Sequence, residues 1–422
     1  MTPSARIQAT IEILGELEQT ARPADRFLRD WFRARRYAGS GDRAAIAERV
    51  FFILRHRASL AFRMRSDAPR ALAIGALGRD GLGLEAITQI FSGEAYAPAP
   101  LTEEERSAFL NIPRVKVPTH VSGDFPAFLE TELTRAFGAN LLSETSALNG
   151  RASIDLRVNA LKAERDAVCA QLKSDGFDAE PTRYAPFGIR IPTTQAGSRL
   201  SQCQLYLNGA FEFQDEAAQI ASHLVGAMPG QSILDLAAGA GGKSLAIAAD
   251  MQNEGSILAW DIRESALEEL RERAQRAGVS IISTDVAANP SRGTFDVVFV
   301  DAPCSGSGVW RRQPDAKWRL TAERLQKLTT QQDVLLAQAA KLVRPNGALL
   351  YATCSVLPCE NEDRISALLG SNGEFAIEHA AQRWARLSRQ PVPGMDQFFH
   401  ATPLRTATDG FFCAVLVRRA VL

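Results

Sequence analysis

One stretch limits this chain more than any other: Thr294 to Trp310, TFDVVFVDAPCSGSGVW. Its first part, Phe295 to Val300, is aromatic and β-branched, as in a strand buried within a parallel sheet. It runs straight into a loop carrying Asp301, Pro303, Cys304 and two glycines. In open α/β sheets, ligands bind at the carboxyl ends of such strands. A second strand, Ala348 to Ala352, ends the same way, in Thr353-Cys354-Ser355. The expectation is one pocket in which two thiols meet, beside a cofactor held by the segment Asp235 to Lys243.

The rest of the chain from Gly230 fits that reading. Strands are predicted at Ser232 to Leu236, Ser256 to Trp260, Val279 to Ser283 and Gly410 to Arg418. Helices are predicted at Ser244 to Met251, Arg263 to Ala277, Ala322 to Val343 and Glu360 to Leu369, with Pro345-Asn346-Gly347 as a turn. Alternation of this kind predicts a doubly wound, mostly parallel sheet.

Residues 151 to 225 differ. Short strands at Ser153 to Val158, Asp178 to Arg183, Gly188 to Ile191 and Phe211 to Phe213 surround a helix at Ala163 to Ser174, a small α+β domain. Arg157 and Asn159 follow a strand and can face a neighbouring site, or be ordinary polar residues. Residues 1 to about 90 read as helices, with an apolar stripe at Ile7, Ile11, Ile13, Leu14 and Leu17. Gly39-Ser40-Gly41 reads as a turn and Asp42 as a helix N-cap. Arginines crowd this region (33, 35, 36, 43, 49, 55, 57, 63 and 65). They form either a solvated face or a phosphate-contacting one. The proline-containing stretch 92 to 140 reads as a linker ending in one or two docked helices.

Formal net charge is zero over 422 residues. A globally basic nucleic-acid binder gains no support from that, while a local basic groove remains open. The six cysteines are scattered, unlike the framework of a small secreted domain. They form no CxxC pair and no zinc-type cluster with histidine, so no metal is expected. The first twenty residues lack a signal-type apolar core, and no apolar run approaches about 18 residues. A cytoplasmic protein with reduced thiols, no membrane span and a monomeric state is expected.

Asp235 and the loop Ala237-Ala238-Gly239-Ala240-Gly241-Gly242-Lys243 follow a strand and open a helix. The spacing is neither GxGxxG nor a Walker A sequence. An acid before a short glycine loop suits a cofactor with an amine to bind and no phosphates. S-adenosylmethionine is such a cofactor. Asp261, ending the next strand, suits ribose hydroxyls, and Asp285, after the third, an adenine amine. Beside a methyl donor, a thiolate can add to C6 of a pyrimidine and make C5 electron-rich enough to be methylated. That scheme needs a nucleophile, an acid near N3 and a base. Asp301 is expected to hydrogen-bond the base edge, and Lys243 to tune charge there. The following segment, RRQPDAKWRL, interleaves Arg311, Arg312 and Lys317 with Trp318, which suits stacking and phosphate contacts on single-stranded nucleic acid. A charged loop closing a sheet edge is the competing reading.

These motifs resemble those of the Nol/Nop/Sun group of RNA (cytosine-5) methyltransferases over roughly residues 150 to 420. DAPCSGSG, RRQPDAKW, ATCSVLPCENE, FQDEAAQI and LRVN carry the resemblance. It implies Cys354 as the nucleophile on C6, Cys304 in product release, and Asp261, Asp285 and Asp301 around cofactor and base. The family's cofactor loop usually reads Cys-Ala-Ala-Pro-Gly-Gly-Lys; here Ala240 replaces the proline, which makes the loop less rigid. The segment SGDRAAIAERVFFILRHR is similar to the NusB-like helical domain of bacterial RsmB-like enzymes, which modify small-subunit ribosomal RNA. The implied organisation is a helical NusB-like RNA-binding domain with linker over 1–140, a small α+β RNA-recognition-like domain over 141–225 and a Rossmann-like methyltransferase domain over 226–422. The implied substrate is RNA, ribosomal first, with transfer RNA as an alternative. An RNA-binding assembly factor without turnover is the reading from another class.

Overall fold

The computed structural model describes residues 1–35, 38–113, 115–192, 197–284, 294–388 and 390–420. The chain forms two compact units, one of Met1–Gly150 with Trp310–Thr321, the other of Arg151–Val309 with Ala322–Leu422. No helix among the described residues is long and apolar enough to cross a membrane.

The first unit is helical. Helices Pro3–Glu18, Ala24–Ala34, Ser40–Arg55 and Pro69–Arg79 pool the predicted stripes, and Ile13, Leu14, Leu28, Trp31, Ile46, Val50 and Ile53 share one core. The expected turn at Gly39-Ser40-Gly41 is not one. The helix begins at Ser40 with Gly39 as its cap, and Asp42 lies in the first turn, where its Oδ1 accepts from Arg6 Nε at 2.7 Å. An acid there still favours the helix amino terminus. The stretch read as linker holds more than terminal helices. Glu103–Leu110 starts with a reciprocal cap between Thr102 and Glu105, which satisfies two otherwise orphaned amides.

The second unit contains two sheets. The small one is antiparallel in the order β2-β3-β1-β4, with β1 Ile154–Val158, β2 Glu180–Pro181, β3 Gly188–Ile191 and β4 Phe211–Phe213. The predicted strand at 178 to 183 shrinks to β2. Arg190 on β3 grips Asp155 on β1 through two bonds of 2.7 Å and reaches Glu216 at 3.2 Å. This fork fixes the small sheet to helix Glu216–His223, a geometry suited to a buried carboxylate.

The large sheet comprises β5 Ser232–Leu236, β6 Ser256–Trp260, β7 Ile282–Thr284, β8 Phe295–Asp301, β9 Val343–Thr353, β10 Phe375–Glu378, β11 Phe399–Ala401 and β12 Phe411–Arg418. Its order is β10-β12-β9-β8-β5-β6-β7, with β11 also on β12. Strands β7, β6, β5, β8 and β9 pair in parallel and β12 runs against β9. Alternate residues pack on opposite faces: Ile233, Val297 and Phe299 share one core, Leu234, Val298 and Val300 the other. That is the period-two logic of a doubly covered strand. Pro345-Asn346-Gly347 is absorbed into β9, with Asn346 at φ +61° and a register shift opposite, between Phe295 and Val297. The chain order reverses at β5, so the crevice between the carboxyl ends of β5 and β8 is the predicted binding position.

Candidate active site

The strand ends at that crevice line a cavity of about 690 Å³. Around it lie Asp235, Ala237, Ala238, Gly239, Ala240, Gly242, Lys243, Asp261, Asp301, Cys304 and Cys354, most of the residues singled out from sequence. Gly241 is not in the wall. It stands at φ +74°, and a Cβ there would meet Leu270 Cδ1 at 1.9 Å, so only glycine lets the loop close onto helix Glu264–Ala277. Asp285 lies outside the described residues.

Three acids face the cavity in different states. Asp235, on β5, is almost fully buried. Its Oδ2 accepts from Ser244 Oγ at 2.5 Å, while its buried Oδ1 has no partner. Burial raises Asp235 to about 7, against the Ser244 bond, which lowers it. Asp261, after β6, is also buried, which alone would raise it. Bonds from Arg263 and the Gly239 amide outweigh this and hold it below its ordinary value. Asp301, closing β8, accepts from Lys243 Nζ at 2.5 Å. Burial alone would push Lys243 down. The charge and hydrogen bond of Asp301, with help from Cys354 and Asp235, hold the ammonium above its usual value instead.

The loop between Asp235 and Lys243 is strained and braced. Ala237 adopts φ +78°, a region a residue with a Cβ rarely enters, and such strain clusters at ligand sites. Its amide and that of Ala238 both donate to Trp260 O, at 2.8 and 2.9 Å. From the small sheet, Arg157 donates to Gly242 O and to Gln214 Oε1, each at 2.5 Å. Arg273 bonds Ala240 O at 2.8 Å and Glu212 on β4 at 2.9 Å. These contacts brace the loop around Ala240 from outside.

The thiols do meet. Cys304 follows β8, Cys354 follows the neighbouring β9, and their Sγ atoms are 3.3 Å apart. The bond to Cys354, burial and the charge of Glu360 push the Cys304 thiol well above its ordinary value. Gly308 is pressed against Gly410: a Cβ would stand 2.1 Å from Gly410 O. The second glycine of the thiol loop is therefore a packing requirement.

The expected nucleic-acid contacts are placed differently. Arg157 is buried and braces the cofactor loop. Asn159 is buried and bonds Gly209 O at 3.0 Å and Ala277 O at 2.8 Å, tying the small sheet to helix Glu264–Ala277. Lys317, expected to reach phosphates, is fully buried in the helical unit. Its Nζ bonds Arg55 O, Asp124 O and Asn149 Oδ1 at 2.9, 2.6 and 2.5 Å, between the indoles of Trp310 and Trp318. Trp318 is half-buried and donates to Leu54 O at 2.5 Å. Arg311 is buried and Arg312 exposed. Lys317 and Trp318 thus anchor the segment to its own unit. The arginine-rich region behaves alike: Arg49 pairs with Asp80 at 2.5 Å, Arg57 with Glu18 at 2.6 Å, and Arg35 stacks on Trp31 at 3.9 Å.

Sequence reasoning missed Gln214, Trp260, Ile262, Arg263 and Gln331 in the cavity wall. It also passed over Glu360 and Asn361. Glu360 bonds Ser305 and Ser355, and Asn361 bonds Thr353 Oγ1 and Ser355 O at 2.6 and 3.0 Å. The Glu-Asn-Glu run beside the second thiol was the available signal.

Residues 223–417 match the family model of the 16S rRNA methyltransferase RsmB/F, and residues 125–196 that of its ferredoxin-like domain. A probable ribosomal RNA small subunit methyltransferase B of Bacillus subtilis is 31% identical over 265 residues, 61% of this chain and 58% of that protein. The match thus spans less than two thirds of that relative. The ribosomal RNA small subunit methyltransferase B of Shewanella oneidensis is 31% identical over 303 residues, 71% of this chain and 68% of that protein. The chain belongs to the RsmB/F family. Its fold agrees with that membership. The crystal structure of PH0851 has a TM-score of 0.76 at 25% identity, covering 99% of each chain. A methyltransferase homologue from Pyrococcus horikoshii has 0.59 at 23%, covering 71% of this chain and 97% of that one, a likeness of fold.

Proposed function

We propose that this member of the RsmB/F family methylates C5 of a cytosine in small-subunit ribosomal RNA, with S-adenosylmethionine as donor and Cys354 bound covalently to C6 during the reaction. The observation that carries it is the contact of Cys304 and Cys354, 3.3 Å apart in a cavity that also holds an unpartnered buried carboxylate oxygen. Asp235 Oδ1 suits the ammonium of the donor, and Asp261 its ribose hydroxyls once Arg263 yields. Exposed Ile262 at the rim suits an adenine face. Bound there, S-adenosylmethionine supplies an electrophilic methyl group.

The chain's own groups do the rest. The Cys354 thiolate adds to C6, and the electron pair displaced from the ring gathers on the N3 and O2 edge. Lys243, hydrogen-bonded to Asp301 at 2.5 Å, donates to that edge. Preorganised charge of this kind in a closed site is a large contributor to rate. After methylation the ring recovers when the C5 proton leaves and the C6–S bond breaks, its electrons returning to Cys354. Cys304, a neutral thiol at 3.3 Å, protonates the departing sulfur and takes up the C5 proton in exchange. The target base must leave its stack to enter.

The test is labelled S-adenosylmethionine with total RNA and ribosomal subunits from a strain lacking the gene, resolved on a denaturing gel. Wild-type protein should label small-subunit RNA, and Cys354→Ala should not. Cys304→Ala should accumulate a slow-migrating protein–RNA adduct, because attack proceeds and release stalls. Full activity of Cys354→Ala would remove the nucleophile assignment, and label confined to transfer RNA would change the substrate class.

A further inference from the structure

Glu360 is fully buried beside the thiol pair. Its carboxylate accepts from Ser305 N at 2.8 Å, Ser305 Oγ at 2.5 Å, Ser355 Oγ at 2.5 Å and Gln332 Nε2 at 3.1 Å. Ser305 follows Cys304 and Ser355 follows Cys354. Gln332 also donates to Pro303 O at 2.9 Å, on the other side of Cys304. One carboxylate thus holds both thiol loops through neutral donors. Tyr351 OH in turn donates to Glu360 O at 2.7 Å, fixing that backbone to β9.

We propose that Glu360 is a positioning residue for the thiol pair: it clamps the Cys304 and Cys354 loops to each other and sets a negative charge on the Cys304 side. The proposal rests on the covalent reading above and deepens it. Two thiols in contact are equivalent unless their surroundings differ, and here they do. Cys354 interacts with the Lys243 ammonium, and Cys304 with the Glu360 carboxylate. Tyr351 also faces Cys304 from β9, and Asp301 lines the same cavity. A neighbouring negative charge disfavours a thiolate and a neighbouring positive charge favours one. Cys304 is therefore the thiol that keeps the proton release needs, which leaves Cys354 to attack. The raised Cys304 thiol agrees with this order.

The test uses the full chain in a Cys354→Ser background, with and without Glu360→Gln. The rate of iodoacetamide modification at Cys304 is read by peptide mass spectrometry across pH. Glu360→Gln keeps the shape of the clamp, since the serine hydroxyls can turn to accept from the amide, and removes the charge. Its Cys304 midpoint should fall by about one pH unit. An unchanged midpoint overturns the electrostatic role. Glu360→Asp, with Cys354 intact, keeps the charge and shortens the clamp. It should lower kcat for methyl transfer by about tenfold with little change in KM, as expected for misplaced reacting groups, and leave the Cys304 midpoint where it was. Undiminished kcat overturns the clamp, and this variant serves if the glutamine variant does not fold. Alkylation needs neither RNA nor S-adenosylmethionine, so it reads Glu360 even if the chain methylates nothing.

Discussion

Lys243 and Lys317 are two largely enclosed lysines with opposite surroundings. Lys243 lines the cavity beside Asp301, whose charge and hydrogen bond hold its ammonium above the usual value despite burial. Lys317 lies in the helical unit among carbonyl oxygens and indoles, and burial lowers it to about 7, the charge of Asp124 notwithstanding. The difference separates a charge held for chemistry from a donor held for structure. A buried cation needs an anion to stay charged, whereas dipoles alone secure the geometry and leave the proton loosely held.

The sharpest way to break this comparison is to delete the pocket charge. Lys243→Met should lower methyl transfer by at least about a hundredfold, roughly 3 kcal/mol of lost transition-state stabilisation. The fold should survive, since the methionine retains most of the stem. Single-turnover transfer from labelled donor measures it. Activity within threefold of wild type would make Lys243 as structural as Lys317.

The second prediction concerns the helical unit. Lys317→Met keeps a stem between Trp310 and Trp318 and removes the amine, which at pH 9 has two N–H donors to share among Arg55 O, Asp124 O and Asn149 Oδ1. At pH 9 this should cost about 1–3 kcal/mol in urea unfolding, the price of buried acceptors left unmet. An unfolded lysine titrates near 10.5 and the folded Lys317 near 7. Between those values the unfolded chain binds the proton and the folded chain does not. The contribution of Lys317 is therefore least favourable below pH 7 and grows as pH rises toward 10. The stability of wild type relative to Lys317→Met should increase by on the order of 2 kcal/mol from pH 7 to pH 9. A constant difference would mean that Lys317 keeps its charge in the folded unit.

The same contrast explains what the sequence made legible. Strands β5, β6 and β8 were readable because each apolar run carries or meets an acid at its carboxyl end, Asp235, Asp261 and Asp301, and the thiols because each follows such a run, β8 or β9. Strands β10 and β11 were not, since the segments around Phe375 and Phe399 are short and mixed in polarity. Within RRQPDAKWRL, Lys317 misled for a physical reason. Arginine, lysine and tryptophan serve equally to hold a phosphate or to bond a backbone carbonyl, and composition does not say which. Arg157 and Asn159 are like cases, polar groups used to join two sheets. Glu360 escaped notice because its bonds to Ser305, 55 residues away, exist only through the sheet order that sets β8 beside β9.

The smallest effect is on donor binding at Asp235, which sharpens the comparison from the acidic side. An ordinary aspartate titrates near 3.8, and burial holds Asp235 protonated up to about 7. Between these values the folded chain binds a proton that the unfolded chain has lost. The contribution of Asp235 is therefore fullest below pH 4 and is lost as pH rises through 7, opposite in sense to Lys317. Paired urea unfolding of wild type and Asp235→Asn should show wild type losing ground between pH 5 and pH 8. An ammonium docking on Asp235 Oδ1 would reward ionisation. The affinity of wild type for S-adenosylmethionine should therefore tighten by about tenfold from pH 6 to pH 8, while Asp235→Asn stays weak and flat by calorimetric titration. Parallel pH dependence in the two proteins would mean that the donor's ammonium binds elsewhere, and the orphaned oxygen would then need another partner.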